Sequence, residues 1–206
     1  DMGDVRTVKA LKESVKRMEE LLEVKPEIVA CDMHPSYNTR AAAEEMGLPV
    51  FPVQHHYAHI LSCMAENEWT TKKKVIGVSF DGTGYGIDGT IWGGEILLAD
   101  YDFFKRWGCI EPFAQTGGDA SAKEGWRIAV SLLGKIYGKE IALSIIETLG
   151  LCESKLAKLQ FTMEERGINT VKSTSAGRLF DAVSAILGIR KASTFEGEAS
   201  TSLQFA

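Results

Sequence analysis

The chain has 206 residues, a net charge of −5, 45% hydrophobic and 25% charged residues, the balance of a soluble globular protein large enough for one domain or two small lobes. The acidic balance argues against a nucleic-acid surface, which needs clustered Lys and Arg; Lys72-Lys73-Lys74 is the only basic run and reads as a solvated turn. No apolar run approaches the roughly 20 residues of a membrane helix, no signal peptide is evident, and the four cysteines (Cys31, Cys63, Cys109, Cys152) form no CxxC pair. They fit small buried hydrophobes in a reducing cytoplasm.

Val5, Val8, Leu11, Val15, Met18 and Leu22 recur at spacings of three and four, which predicts an amphipathic helix with one buried stripe, ended by Pro26. Glu27–Cys31 reads as a buried strand, Thr39–Met46 as a helix stopped by Gly47, Leu48–Val53 as a strand and His55–Glu66 as a helix. That alternation is an α/β layer with parallel strands. After the lysine run, Val75–Phe80 is a strand, Asp81–Gly89 with its four glycines a tight loop, Thr90–Leu98 a second strand and Tyr101–Trp107 a third, in an antiparallel meander. From Ala120 onward the pattern is helical, with breaks near Gly138, Gly150, Gly167 and Gly188. The division between lobes is placed at Glu68–Lys74, giving lobes 1–70 and 71–206. Neither half reads as complete: the first opens on a helix, and the second has no closing strands.

All four histidines lie between positions 34 and 59. His55 and His59, four apart on a helix, stack on one face within reach of one metal ion; the alternative is a hydrogen-bonded pair without metal. His56 points elsewhere and reads as structural. The run Asp81-Gly82-Thr83-Gly84-Tyr85-Gly86 follows a strand directly. Alternate glycines let backbone N–H groups approach a phosphate, Thr83 adds a hydroxyl, and Asp81 sits where a carboxylate holds a metal. It is neither a Walker loop nor a dinucleotide fingerprint, because a strand follows it; the alternative is a ligand-free hairpin turn. On the phosphate reading, Gly84→Val should weaken nucleotide binding with little change in metal content. Gly93-Gly94 within a strand marks a bulge or a close backbone approach. Asp119 suits a helix N-cap. Ser173–Asp181 pairs small residues at a helix start with an acid one turn on, which suits a nucleotide and its ribose hydroxyls, or simply a capped and packed helix.

The strings VQHHYAH (53–59), DGTGYGIDGTIWGGE (81–95), GGDA with KEGWR (117–127), SAGRLFDAVSAILG (175–188) and FEGEAS (195–200), with the opening DMGD and DMHPSY (32–37), occur in this order. Together they resemble the C-terminal carbamoyltransferase domain of the HypF hydrogenase-maturation family, over essentially the whole chain. The wider superfamily includes TsaD-like proteins and antibiotic O-carbamoyltransferases. The resemblance implies a two-lobed α/β fold like the sugar kinases, Hsp70 and actin, with ribonuclease-H-like lobes, both of them incomplete here. It implies an acyl-adenylate, carbamoyl-AMP made from ATP and carbamoyl phosphate, bound between lobes, and transfer of its carbamoyl group to the C-terminal cysteine of the partner HypE. His55, His59 and Asp81 match the metal-ligand and catalytic positions, for zinc or iron. Gly82, Thr83, Gly84, Tyr85 and Gly86 match the phosphate loop, and Gly177 and Asp181 the nucleoside-contacting helix start. The family has a further metal-binding aspartate and more nucleotide pocket after the last residue of this chain, so the site is expected to be incomplete and the segment alone inactive. The GTIWGGE string favours HypF over TsaD, and the acidic charge disfavours a tRNA acceptor. A small-molecule hydroxyl acceptor, or a non-catalytic module that binds nucleotide and docks HypE, are the other readings.

Overall fold

The computed structural model describes residues 4–206; Asp1, Met2 and Gly3 of the DMGD string lie outside them. Helix α1 (Val5–Leu22) starts where the Asp4 carboxylate accepts the Arg6 N–H at 2.8 Å and ends on Glu23 in the left-handed region. Its stripe is less buried than its periodicity implies. Among the described residues no α1 side chain is fully buried, and Val5, Met18 and Leu22 are exposed, because the helix leans mainly on the one short helix that follows.

Strand β1 (Val29–Asp32), helix α2 (Asn38–Glu44) and strand β2 (Val50–Val53) form a crossover unit. The two strands pair in parallel, Val29 opposite Val50 through Asp32 opposite Val53, the arrangement the sequence pattern implies. β2 runs directly into α3 (His55–Glu66), whose N-terminus is capped by Gln54 Oε1 accepting the Tyr57 N–H at 2.9 Å.

The second sheet is built from β3 (Val75–Tyr85), β4 (Ile91–Ala99), β5 (Phe104–Cys109), β6 (Phe113–Thr116) and β7 (Thr170–Ser173), in the order β3-β4-β7-β6 with β5 also on β4. β3, β4 and β5 are the expected antiparallel meander. Two expectations are corrected. Asp81–Tyr85 is not loop: β3 continues through it, with its register broken between Phe80 and Gly84, and the turn is confined to the residues after Gly86. The part after Ala120 is not wholly helical: β7 pairs in parallel with β4 at Ile91 and antiparallel with β6.

Helices α4 (Ala120–Lys123), α5 (Gly125–Tyr137), α6 (Lys139–Leu149), α7 (Ser154–Arg166), α8 (Ala176–Ile186) and α9 (Glu198–Gln204) complete the chain. Gly150 and Gly167 end α6 and α7 in left-handed caps, as glycine permits. Asp119 precedes α4 but makes no side-chain cap bond. Two cores result. Ile128, Val130, Leu133, Ile146 and Phe161 join the later helices to Phe113 of β6, while Ile60 and Met64 of α3 pack on Trp92, Leu97 and Ala99 of β4. That second core presses the N-terminus of α3 against the middle of β3.

Candidate functional site

The site forms where α3 meets the irregular part of β3. His55 Nε2 lies 2.9 Å from Asp81 Oδ2 and 3.2 Å from His59 Nε2. One donor atom from each of His55, His59 and Asp81 falls within 4.8 Å of the others. The helical i, i+4 spacing supplies the two imidazoles, and the interruption of the β3 register turns Asp81 toward them. Asp81 Oδ2 is buried yet makes no aligned hydrogen bond, whereas Oδ1 accepts the Gly82 N–H at 2.6 Å. Two imidazole nitrogens and a carboxylate oxygen, drawn within 4.8 Å of one another with His55 as the carboxylate's nearest neighbour, suit a divalent ion of the zinc or iron class.

The electrostatics follow from this crowding. The Asp81 carboxylate, helped by Asp32 against the cost of burial, raises His55 to about 9. His55 in turn holds Asp81 below the ordinary carboxylate range. His56 goes the other way, pushed down to about 4 by burial and by its neighbour His55. It is fully buried, with Gln54 Nε2 3.2 Å from its Nδ1 and its Nε2 3.8 Å from Asp81 Oδ2. The Gln54 amide donates, so Nδ1 accepts and the ring proton sits on Nε2. His56 is thus a packed neutral ring behind Asp81, its buried Nε2 making no hydrogen bond among the described residues.

The glycines divide by task. A Cβ on Gly84 would lie 2.3 Å from His56 Cε1 and 3.0 Å from His55 Cδ2, and one on Gly86 2.3 Å from Trp92 Nε1. These two make room for side chains, so Gly84→Val would disturb the histidines and not only a phosphate, contrary to the sequence-based expectation. A Cβ on Gly82 would meet only Arg178 Nη2, at 3.7 Å. Thr83 Oγ1 donates to the Gly82 carbonyl at 2.6 Å, and the Tyr85 carbonyl accepts from Gln54 Nε2 at 3.1 Å.

Helix α8 abuts this strand end on. Ser175 caps it by accepting the Arg178 N–H at 3.0 Å, while its hydroxyl reaches the carbonyls of Gly82 at 2.7 Å and Asp81 at 3.1 Å. Gly93 allows this approach, since a Cβ there would sit 2.6 Å from the Asp81 carbonyl and 2.9 Å from Ser175 Cα, the close backbone contact its position implied. Gly177 is less tight but still close, 3.0 Å from Gly82 Cα for a Cβ. Asp181 is 5% exposed and faces Arg178 Nη2 at 3.0 Å; burial raises its pKa and Arg178 opposes the rise. Behind the strand, buried Glu95 accepts from Arg106 Nε at 2.6 Å, and Arg106 stacks over Trp92.

Sequence reasoning missed Asp32 as a member of this assembly, and held Ser175 and Arg178 only as part of the Ser173–Asp181 helix start, with no role of their own. Asp32 Oδ2 is 2.9 Å from His55 Nδ1. Its only sequence signal is a carboxylate at a strand end inside DMHPSY.

Residues 1–66 match the family model described as the HypF Kae1-like domain, and residues 77–206 the model described as carbamoyltransferase, Kae1-like domain, second subdomain. The chain is 38% identical over 209 residues to carbamoyltransferase HypF2 of Cupriavidus necator, covering 99% of this chain and 25% of the relative. It is 39% identical over 184 residues to the probable carbamoyltransferase HypF of Methanocaldococcus jannaschii, covering 87% and 24%. A crystal structure of full-length HypF in the phosphate- and nucleotide-bound form superposes with a TM-score of 0.90 at 36% identity, over 99% of this chain and 26% of that one. The structure of T. kodakarensis HypF superposes with a TM-score of 0.85 at 31% identity, over 99% and 28%. The chain spans about a quarter of the length of these relatives.

Proposed function

This chain belongs to the HypF family of carbamoyltransferases, and on that premise we propose that it supplies part of the site at which carbamoyl-AMP, formed from ATP and carbamoyl phosphate, gives its carbamoyl group to the C-terminal cysteine of HypE. The product would feed cyanide-ligand synthesis for nickel–iron hydrogenases, in the cytoplasm; among the described residues no helix is long and apolar enough to cross a membrane. The observation that carries the reading is the convergence of His55, His59 and Asp81 on one point beside the capped start of α8. The site is assigned to a cleft between two lobes, 1–70 and 71–206.

In the reaction the HypE thiolate attacks the carbamoyl carbon. A carbon–sulfur bond forms, the bond from that carbon to the phosphate oxygen breaks, and AMP leaves with the electron pair. His55, His59 and Asp81 would hold a divalent ion, zinc or iron, which neutralises developing charge on oxygen when bound. Gly82–Gly86 and the N-terminal end of α8 at Gly177 are assigned to the phosphate side. The N–H groups of Gly82 and Gly86 are already given to Asp81 Oδ1 and the Thr90 carbonyl, so the remaining backbone N–H groups there, with the N-terminal end of α8, would stabilise an anionic leaving group at little reorganisation cost. Asp181, buried against Arg178, would act on the nucleoside side by orienting that guanidinium next to Gly82. The nucleophile comes from HypE, so none of the four cysteines of this chain is needed.

The test is carbamoyl transfer by the full-length protein, with labelled carbamoyl phosphate, ATP and HypE. His55→Ala, His59→Ala and Asp81→Asn should each abolish label on HypE. Transfer at the unsubstituted rate in all three would reject the site.

A further inference from the structure

The metal-site reading uses only one of the two nitrogens of His55. The other is held by a carboxylate to which no role has yet been given. Asp32 is the last residue of β1, paired in register with Val53 of β2. The chain enters α3 two residues after Val53, so the parallel ladder brings Asp32 beside the first turn of that helix. Asp32 Oδ1 accepts the His34 N–H at 2.8 Å, and Oδ2 lies 2.9 Å from His55 Nδ1. The first bond fixes the carboxylate on its own turn, and the second spends its free oxygen on the imidazole. The turn is itself braced, because His34 stacks on Tyr37 with centroids 4.0 Å apart and meets the edge of Tyr85 at 5.1 Å. Asp32 is therefore a rigid acceptor, mostly withdrawn from solvent, at 18% side-chain exposure.

An imidazole offers a lone pair at one nitrogen only when its proton is at the other. Each ring nitrogen has a carboxylate 2.9 Å away, Asp32 at Nδ1 and Asp81 at Nε2; with Asp81 given over to an ion, the Asp32 carboxylate would keep the remaining proton on Nδ1 and leave the lone pair on Nε2, the atom that faces His59 and Asp81. The same contact stops the ring from turning about its Cβ–Cγ bond, which would exchange Nε2 for a carbon. It also places a second negative charge behind the donor set, making the imidazole a stronger ligand. Asp32 cannot do this and ligate as well, since its near oxygen points at the far side of the ring from the point where the three donor atoms converge.

We propose that Asp32 is a positioning residue for the metal site, setting the tautomer and orientation of His55 through a carboxylate–histidine pair. The proposal rests on the metal-site reading and is tested so that the two fail separately.

Zinc affinity would be measured by competition with a chromophoric chelator on the full chain carrying Asp32→Asn, Asp32→Ala or His55→Ala, beside the unsubstituted protein. Asp32→Asn keeps the shape and an acceptor oxygen but loses the charge, and serves alone if Asp32→Ala does not fold. Both Asp32 variants should bind zinc about 10–100-fold more weakly, the range for losing such a partner, while the metal-free melting temperature of Asp32→Asn stays close to the parent's. Nitrogen-15 spectra of the zinc-loaded parent should place the His55 proton on Nδ1 and the metal on Nε2, an assignment a merely structural ion pair would not enforce. Loss of zinc in His55→Ala, with Asp32→Asn within twofold of the parent, would overturn the positioning role alone. Zinc bound through Nδ1 would do the same. A parent protein that binds no zinc would overturn the metal site and this proposal together.

Discussion

At His55 and His56 neighbouring imidazoles are driven in opposite directions, and the signs give a pH signature. In the metal-free protein His55 is raised to about 9 by Asp81 and Asp32. Its folded pKa is above the unfolded value near 6.5, so its stabilising contribution is complete below that value and is lost as pH climbs through about 9. His56 is depressed to about 4 by burial. The unfolded chain then binds the extra proton between about 6.5 and 4, so this contribution is present above 6.5 and is lost as pH falls through that window. Urea midpoints of chelator-treated protein should therefore be highest near neutrality and fall on both sides. His55→Ala should flatten the alkaline limb, and an unchanged alkaline limb in that variant would refute the pairing. Zinc needs the neutral ring, so its apparent affinity should rise with pH up to about 9, with proton release visible by calorimetry in two buffers. His56→Ala separates packing from ligation. With the ring fully buried against the Gly84 backbone, its loss should cost about 1–3 kcal/mol of stability, while zinc per folded molecule falls far less than in His59→Ala.

The hairpin of β3 and β4 carries the loop between two packed surfaces, the histidines on one side and the cap of α8 on the other. Gly93→Ala would force its Cβ against two backbone atoms, the Asp81 carbonyl and Ser175 Cα, neither of which a rotamer change can move. It should cost about 1–3 kcal/mol by overpacking and weaken nucleotide binding in the full-length protein. Gly84→Val should lower both zinc and nucleotide affinity, because the methyl groups displace His56 and His55 first. Retention of full zinc affinity in that variant would mean the helix start yields without moving His55. The same hairpin marks what the sequence made legible. α3 was readable to both ends and α1 to its start, though α1 stops on a left-handed Glu23 short of the Pro26 that was expected to end it; the breaks near Gly150 and Gly167 were readable too, and prove to be left-handed caps. Asp81–Tyr85 read as loop because glycine is a poor strand former, yet it is held in β3 by pairs such as Gly84 opposite Trp92. β7 has four residues and a single pairing to β4, too short for periodicity to register. Spacing singled out His55 and His59 as a candidate pair and a strand end singled out Asp81, but joining the three into one site took the resemblance to the family. Asp32 could not be singled out, since its contact spans 23 positions and depends on the β1–β2 register.

Across the whole molecule, Asp81 is the point where distant parts of the chain meet. Its carboxylate faces the α3 histidines, and its carbonyl accepts from Ser175, 94 positions away. Occupants of the two sides should sense each other for two reasons. Asp81 and Asp32 place negative charge beside the proposed phosphate loop, and a bound divalent ion cancels it. An ion held by Asp81 would also fix that residue against α3, and the Ser175 hydroxyl, which donates to the Asp81 carbonyl, ties the same residue to the N-terminus of α8. Binding free energies are linked reciprocally, with couplings typically on the order of 5–150-fold. In the full-length protein, zinc loading should thus tighten ATP binding at least about fivefold, and saturating ATP should tighten zinc binding by the same factor. Ser175→Ala removes the tether but leaves the charges, so it should reduce the coupling without abolishing it. Asp81→Asn should remove most of it by deleting both the repulsion and the ligand. Two titrations by calorimetry, each in the presence and absence of the other ligand, measure the factor from both directions. Equal ATP affinity with and without zinc would show that the two sides of Asp81 act independently.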